Sequence, residues 1–140
     1  MDKYEHRALQ HVINEDILAY ESDKKYDLIV SISTLEHIGW DEQPKLPEKV
    51  LQFPEKVLSL LRSDGEVLVT IPVGFNPFLD NAMKEGRMGF AEISCLKRIS
   101  ASNEWHSTDL DSALRCAYNT PFTDANSIVI GTFRKTTAMS

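Results

Sequence analysis

Tyr26 to His37, reading YDLIVSISTLEH, decides the fold class. Leu28, Ile29, Val30 and Ile32 make the near-continuous apolar run expected of a central parallel strand covered on both faces. Ser31, Ser33 and Thr34 then thin out the side-chain bulk, and an acid and a histidine, Glu36 and His37, follow directly. Such a strand end, small, polar and ionisable, lines the ligand crevice of an open α/β sheet.

Upstream, MDKYEHRALQ is polar, and His11 to Ile17 (HVINEDI) predicts a short strand ending in acids. Lys24-Lys25 marks a surface turn before the Tyr26 strand. Downstream, Gly39 to Glu42 is a loop, and Pro44 or Pro47 opens a helix because proline fits the first helical turn. Val50, Leu51, Val57, Leu58, Leu60 and Leu61 form its apolar side, and Ser63-Asp64-Gly65 closes it, with the glycine suited to a left-handed position. PEKVL occurs twice in it, from Pro47 and again from Pro54, and the second proline should kink or divide the helix.

Glu66 to Val73 (EVLVTIPV) is a second buried strand, and its loop, Gly74 to Pro77, lies at the same sheet edge as Ser33-Thr34 if the two strands are parallel. A helix joining them implies a right-handed βαβ crossover. Pro77 to Lys84 predicts a short helix, Ala91 to Ile99 a strand followed by a Ser/Asn/Ser loop, and Ala125 to Phe133 a last strand.

The bulk numbers bound the function. At 140 residues the chain holds one core of ordinary size, and one domain spanning 1–140 is expected. A net charge of −6, with only short basic groups such as Lys97-Arg98, argues against a nucleic-acid surface and for a small-molecule partner. Cys95 and Cys116 lack metal-ligand spacing, and no metal site is expected. No apolar run approaches a membrane span and no leader is recognisable, which predicts a cytoplasmic protein with reduced thiols and no membrane partner.

The order of an acidic strand end, YDLIVSISTLEHIGW, a helix, and LLRSDGEVLVTIPVG resembles the C-terminal two-thirds of a class I S-adenosylmethionine-dependent methyltransferase. It looks most like members that act beside nucleotide-sugar or surface-polysaccharide enzymes, with a DKYE-like segment before the acidic strand and an LKRIS-like segment after the fifth. The resemblance implies a Rossmann-like α/β fold, a parallel-rich sheet with helices on its faces and a final antiparallel strand. It also implies S-adenosyl-L-methionine as cofactor and a small hydroxylated or sugar-type acceptor. One family element has no counterpart. The glycine-rich turn G-x-G-x-G, whose backbone approaches the cofactor, is not in the sequence, so the expected fold is truncated and the isolated chain weak or inactive.

Carried over position by position, the resemblance places Asp2 where an acid takes the ribose hydroxyls, with a solvated terminal residue as the alternative. Asp16 and Ile17 match the pair that holds adenine, or else are a capping acid beside a core isoleucine. Ser31, Ser33 and Thr34 would border the methionine part and the sulfonium. His37, with Glu36, stands where a base could take the acceptor proton, or the pair is a structural cap. Trp40 and Phe75 wall the substrate side or cover the core.

Two further readings follow from the missing turn. The family's absent strands lie between its third and fourth, so their loss leaves the Tyr26 strand as an unpaired apolar edge, a template for association. The chain is then a binding or assembly module that completes its sheet as a homo-oligomer or with a partner chain. Alternatively, the cellular protein is longer and begins upstream of Met1.

Overall fold

The computed structural model describes residues 12–135. Asp2 therefore lies outside the described residues. Among the described residues, five strands form one mixed sheet: β1 (Tyr26–Ile32), β2 (Leu61–Pro72), β3 (Glu92–Ser100), β4 (Glu104–Thr108) and β5 (Ser127–Arg134). Their order is β1-β2-β5-β3-β4. β1 and β2 pair in parallel, with Ile29 opposite Val67 and Ser31 opposite Val69. β5 runs antiparallel to both β2 and β3, so β1, β2 and β3 share a direction and the last strand is slotted between two of them in reverse. β4 returns antiparallel on β3. The α/β class and the antiparallel last strand expected from the sequence are both present.

The crossover from β1 to β2 carries two 3-10 turns, Leu35–His37 and Pro47–Gln52, and α1 (Phe53–Ser59). Pro54 does divide the predicted helix: the first PEKVL copy is wound as 3-10 and the second as α. Phe53 and Val57, one turn apart, bury the inner side of α1. The helix ends at Ser59, six residues before the expected Gly65. Asp64, not Gly65, takes the left-handed conformation (φ 65°), and its N–H bonds the Lys135 carbonyl at 2.7 Å. Leu61 to Asp64 is thereby drawn into the start of β2, and the β1–β2 register slips between Tyr26 and Leu28.

α2 (Pro77–Lys84) has the predicted bounds, with the Asn76 side chain accepting from Leu79 N–H at its start. β4 and α3 (Leu110–Leu114) were not legible. The Ser/Asn/Ser segment is the turn of a β3–β4 hairpin, with Asn103 at φ 63°. The core is one apolar cluster in which Val67, Val69, Ile71, Val129 and Phe133 of the sheet meet Phe53, Val57, Leu79, Met83 and Ala113 of the three helices.

Three expectations need correction. Among the described residues, HVINEDI forms no strand: the Asp16 carboxylate accepts from Leu18 N–H (3.0 Å) and its carbonyl from Ala19 and Tyr20 N–H, so local bonds turn the chain from Asp16 to Tyr20. Among the described residues the Tyr26 strand is the sheet edge that the family's absent strands imply, and it is not the strand covered on both faces that its apolar run suggests. Leu28, Val30 and Ile32 are 58%, 50% and 68% exposed, while Ile29 between them packs on the core. The helices do not flank both faces, because the buried sides of α1, α2 and α3 belong to the same cluster and to one side of the pleat. That cluster uses the odd-numbered residues of β2 and β5, and the even-numbered ones face away. Among the described residues no helix is long and apolar enough to cross a membrane. Cys95 is buried, Cys116 half-buried, and neither is bridged.

Candidate functional site

Because β1 and β2 are parallel, their C-terminal ends open at one sheet edge, and two short loops meet there. The β1 end turns sharply at Ser33, which sits at φ 49°, a conformation that costs a side-chain-bearing residue roughly 1 kcal/mol or more. Its N–H offsets this by bonding the Thr70 carbonyl (3.0 Å) and hydroxyl (3.2 Å) on β2. Thr34 Oγ1 then donates to the Ile32 carbonyl at 3.1 Å, and Leu35 inserts fully into the core. This pins the following pair.

Glu36 is 2% exposed although it is an acid at a loop. Its carbonyl accepts from Asn76 Nδ2 (2.9 Å), whose own Oδ1 caps α2, so the ends of β1 and β2 are stapled through one side chain. Oε1 of Glu36 is buried and has no partner among the described residues. Burial pushes the Glu36 carboxyl above the usual range; its own backbone hydrogen bond and His37 pull it back, and Asp41 adds to the rise.

His37 is half exposed and held on two sides. Nδ1 lies 2.7 Å from Asp41 Oδ2, one helical turn on, and the ring stands edge-on against Phe75 at 4.8 Å. Phe75 in turn meets Tyr118 at 5.5 Å. With Nδ1–H given to the Asp41 carboxylate, Nε2 of the neutral ring is an acceptor, and it lies 3.6 Å from Glu36 Oε2. At 3.6 Å that contact is too long for a hydrogen bond, so the buried acid faces the ring nitrogen without engaging it. The Asp41 carboxylate thus fixes the orientation of the His37 ring.

The β2 end supplies the opposite side. Gly74 has φ 91°, and its N–H donates to Asp80 Oδ2 at 2.9 Å. Burial raises the Asp80 carboxyl to about 6, against the pull of that hydrogen bond, and Asp80 Oδ1 is a second buried oxygen without a partner. Asp41, Asn76, Asp80 and Tyr118 were all missed from the sequence. They come from four different loops and helices, and only Asn76, three residues before Leu79 in a proline-opened helix, carried a local signal.

Of the predicted residues, Glu36, His37, Ser33 and Thr34 share the β1 end, with Ser31 half-buried just inside it. Asp16 and Ile17 come from the turn instead. Ile17 packs on the core, and Asp16 Oδ2 lies 3.9 Å from Lys49 Nζ, which also contacts Glu42 Oε1 at 2.5 Å. Trp40 stacks under Lys45 Nζ at 4.1 Å rather than facing the His37 ring. For S-adenosyl-L-methionine the fit is partial. The small β1 end and two carboxylate oxygens without a partner among the described residues leave polar capacity at that strand end, but Asp16 spends its carboxylate on Leu18 N–H and Lys49.

No family model and no curated protein matches the chain. Among solved structures, it is similar to N-methyltransferase NodS from Bradyrhizobium japonicum WM9 in complex with S-adenosyl-L-homocysteine, at 11% identity and a TM-score of 0.48. A second structure of NodS aligns at 12% identity and a TM-score of 0.41. These alignments cover 88% and 89% of this chain and 53% and 58% of the NodS chains, so the chain spans little more than half their length. The α/β assignment stands on the sheet order and strand directions given above.

Proposed function

We propose that this chain belongs to the S-adenosylmethionine-dependent methyltransferases and that its β1–β2 edge is the acceptor side of such a site. The acceptor is a small hydroxylated or sugar-type molecule. The observation that carries the reading is the His37 ring, fixed by Asp41 with Nε2 turned toward a buried acid at the end of a parallel strand. In this scheme the cofactor supplies the electrophilic methyl group. The acceptor hydroxyl proton passes to Nε2 of His37, and Glu36 holds the charge that results. Ser31, Ser33 and Thr34 border the methionine side.

The isolated chain binds the cofactor weakly or not at all, since Asp16 is committed within its turn and no G-x-G-x-G segment occurs in the sequence. Titration calorimetry with S-adenosyl-L-methionine and S-adenosyl-L-homocysteine tests this. Saturable low-micromolar binding would overturn the weak-binding part and turn attention to activity. A chain joined to the glycine-rich strand and turn of a related enzyme should gain cofactor affinity, and a folded fusion with none would remove the methyltransferase reading.

A second reading, a non-catalytic assembly module, is favoured by the β1 edge. Ser33 N–H points to β2, so by the strand period of two the N–H and C=O groups of Leu28, Val30 and Ile32 turn to the open side. Half-exposed apolar side chains and unpaired backbone on one seven-residue strand make a pairing template, and we propose that a second copy adds there.

A further inference from the structure

The segment that touches the β2 end has a cationic far side. A cavity of 430 Å³ is lined by Lys97 and Arg98 of β3, by Ser112 of α3, and by Arg115, Ala117 and Thr120 beyond it, with no carboxylate in its wall. In a chain of net charge −6, three cations around one cavity without an acid are a local reversal of sign. The three are not equivalent. Arg98 is locked: its Nε, Nη1 and Nη2 donate to the carbonyls of Ser100, Thr123 and Ala101 at 3.1 to 3.2 Å, and its guanidinium lies 5.0 Å from the Phe122 ring centroid. It gives the cavity a fixed positive charge. Among the described residues Lys97 and Arg115 have no hydrogen-bond or ion-pair partner, so their donors face the cavity uncommitted. Asp109, an acid that Arg115 influences, is occupied in capping α3, where its Oδ1 accepts from Ser112 N–H at 2.7 Å.

We propose that this cavity binds the phosphoryl group of a small molecule. Three positive charges match a dianion better than a single carboxylate, and arginine's planar fork beside a lysine point charge is a phosphate-binding pair. The hydroxyls of Ser112 and Thr120 add neutral donors. The volume is that of a small-ligand pocket and leaves room for an organic portion beyond the anion. A nucleic-acid backbone is a poorer match, because the charge is confined to the cavity rather than drawn out as a stripe.

Position gives the site its use. Ala117 lines the cavity, and Tyr118, the next residue, contacts Phe75 beside His37. The cavity is thus joined through one peptide to the ring that packs beside His37, so a ligand bound there acts on the strand-end cluster through the 117–118 segment. This deepens the acceptor reading and rests on it only for that last step, because anion binding is measured without cofactor or methyl transfer.

The test uses the full chain and inorganic pyrophosphate at low ionic strength, with calorimetry and amide chemical shifts read together. Saturable binding is expected, with shifts concentrated at residues 112–121. The Lys97→Gln/Arg115→Gln double variant should bind at least about tenfold more weakly, as loss of two charge-assisted donors implies. Lys84→Gln, at the end of α2, should bind like the parent. Absence of binding, shifts centred elsewhere, a double variant that binds as the parent does, or equal weakening by Lys84→Gln each overturns the proposal. If the double variant fails to fold, the parent's shift map decides. None of these failures touches the cofactor titration.

Discussion

Asn76 Nδ2 lies 2.9 Å from the Glu36 carbonyl oxygen, across forty residues of sequence, while Oδ1 of the same amide caps α2. Both bonds are buried, so neither can be replaced by water. Asn76→Ala should therefore cost about 2–4 kcal/mol, a lost cap plus an unsatisfied buried carbonyl. Asn76→Asp keeps the cap acceptor and loses the donor, and should fall between. Urea unfolding of the three proteins checks the order, and an alanine variant within 0.5 kcal/mol of the parent, a figure at the limit of ordinary surface effects, would sink the stapling role.

Asp80 makes stability fall as pH rises. Its folded carboxyl titrates at about 6 against an ordinary 3.8, so between those values the folded chain holds a proton the unfolded chain has released. The unfolded state binds fewer protons, and the slope of unfolding free energy with pH is negative there. The penalty is absent below 3.8, grows through the window, and is complete above about 6. Two pH units correspond to roughly 3 kcal/mol, an upper bound for a partly solvated group. The raised Glu36 carboxyl acts with the same sign. Asp80→Asn still accepts from Gly74 N–H and should be the more stable protein at pH 7.5, with the gap closing toward pH 4; a constant gap would remove Asp80 as the cause.

How much of this was legible turns on what each residue's neighbours are. α2 and β5 were predicted almost to the residue, because a proline start and a buried apolar run are local signals. The Tyr26 stretch was read correctly as a strand, and as an edge from the family's absent strands, but wrongly as covered on both faces, because Leu28, Val30 and Ile32 look the same in sequence whether covered or bare. HVINEDI failed for the opposite reason: the Asp16 carboxylate found Leu18 N–H two residues away before any strand partner. Glu36 and His37 could be picked out as a polar crest. That Asp41 would orient the ring and Phe75 flank it depends on loop paths that no periodicity encodes.

The exposed β1 face gives the association test. Ile29 packs inward, so changing it confuses folding with assembly; Val30, half exposed on the open edge, is the clean probe. Val30→Lys should leave thermal unfolding nearly unchanged and convert any oligomer to monomer, since a charge on an edge strand opposes pairing. Light scattering at high concentration reads both states. A parent that stays strictly monomeric, or an oligomer untouched by the substitution, counts against the edge.

His37 should be a single tautomer. The 2.7 Å contact with Asp41 keeps the proton on Nδ1, leaving Nε2 toward Glu36. Nitrogen chemical shifts of the neutral ring should report that form in the parent and a mixture in Asp41→Ala. If the fusion described above transfers methyl groups, the same variant should lower its rate while leaving cofactor affinity intact, because Asp41 acts through the ring. An unchanged tautomer in Asp41→Ala would show that Phe75 packing, and not the carboxylate, sets the orientation.

Gly74 joins backbone to site most tightly. At φ 91° an L-residue is strained, and an added Cβ would sit 2.6 Å from Tyr118 N, a backbone atom that cannot swing away. Gly74→Ala should cost at least about 2 kcal/mol from strain and displacement together. The displacement should also appear where Tyr118 meets Phe75, loosening the ring that stands against His37. A variant with parental stability and unchanged Phe75 and His37 resonances would mean that the 117–118 segment yields freely and does not hold the strand-end cluster in place.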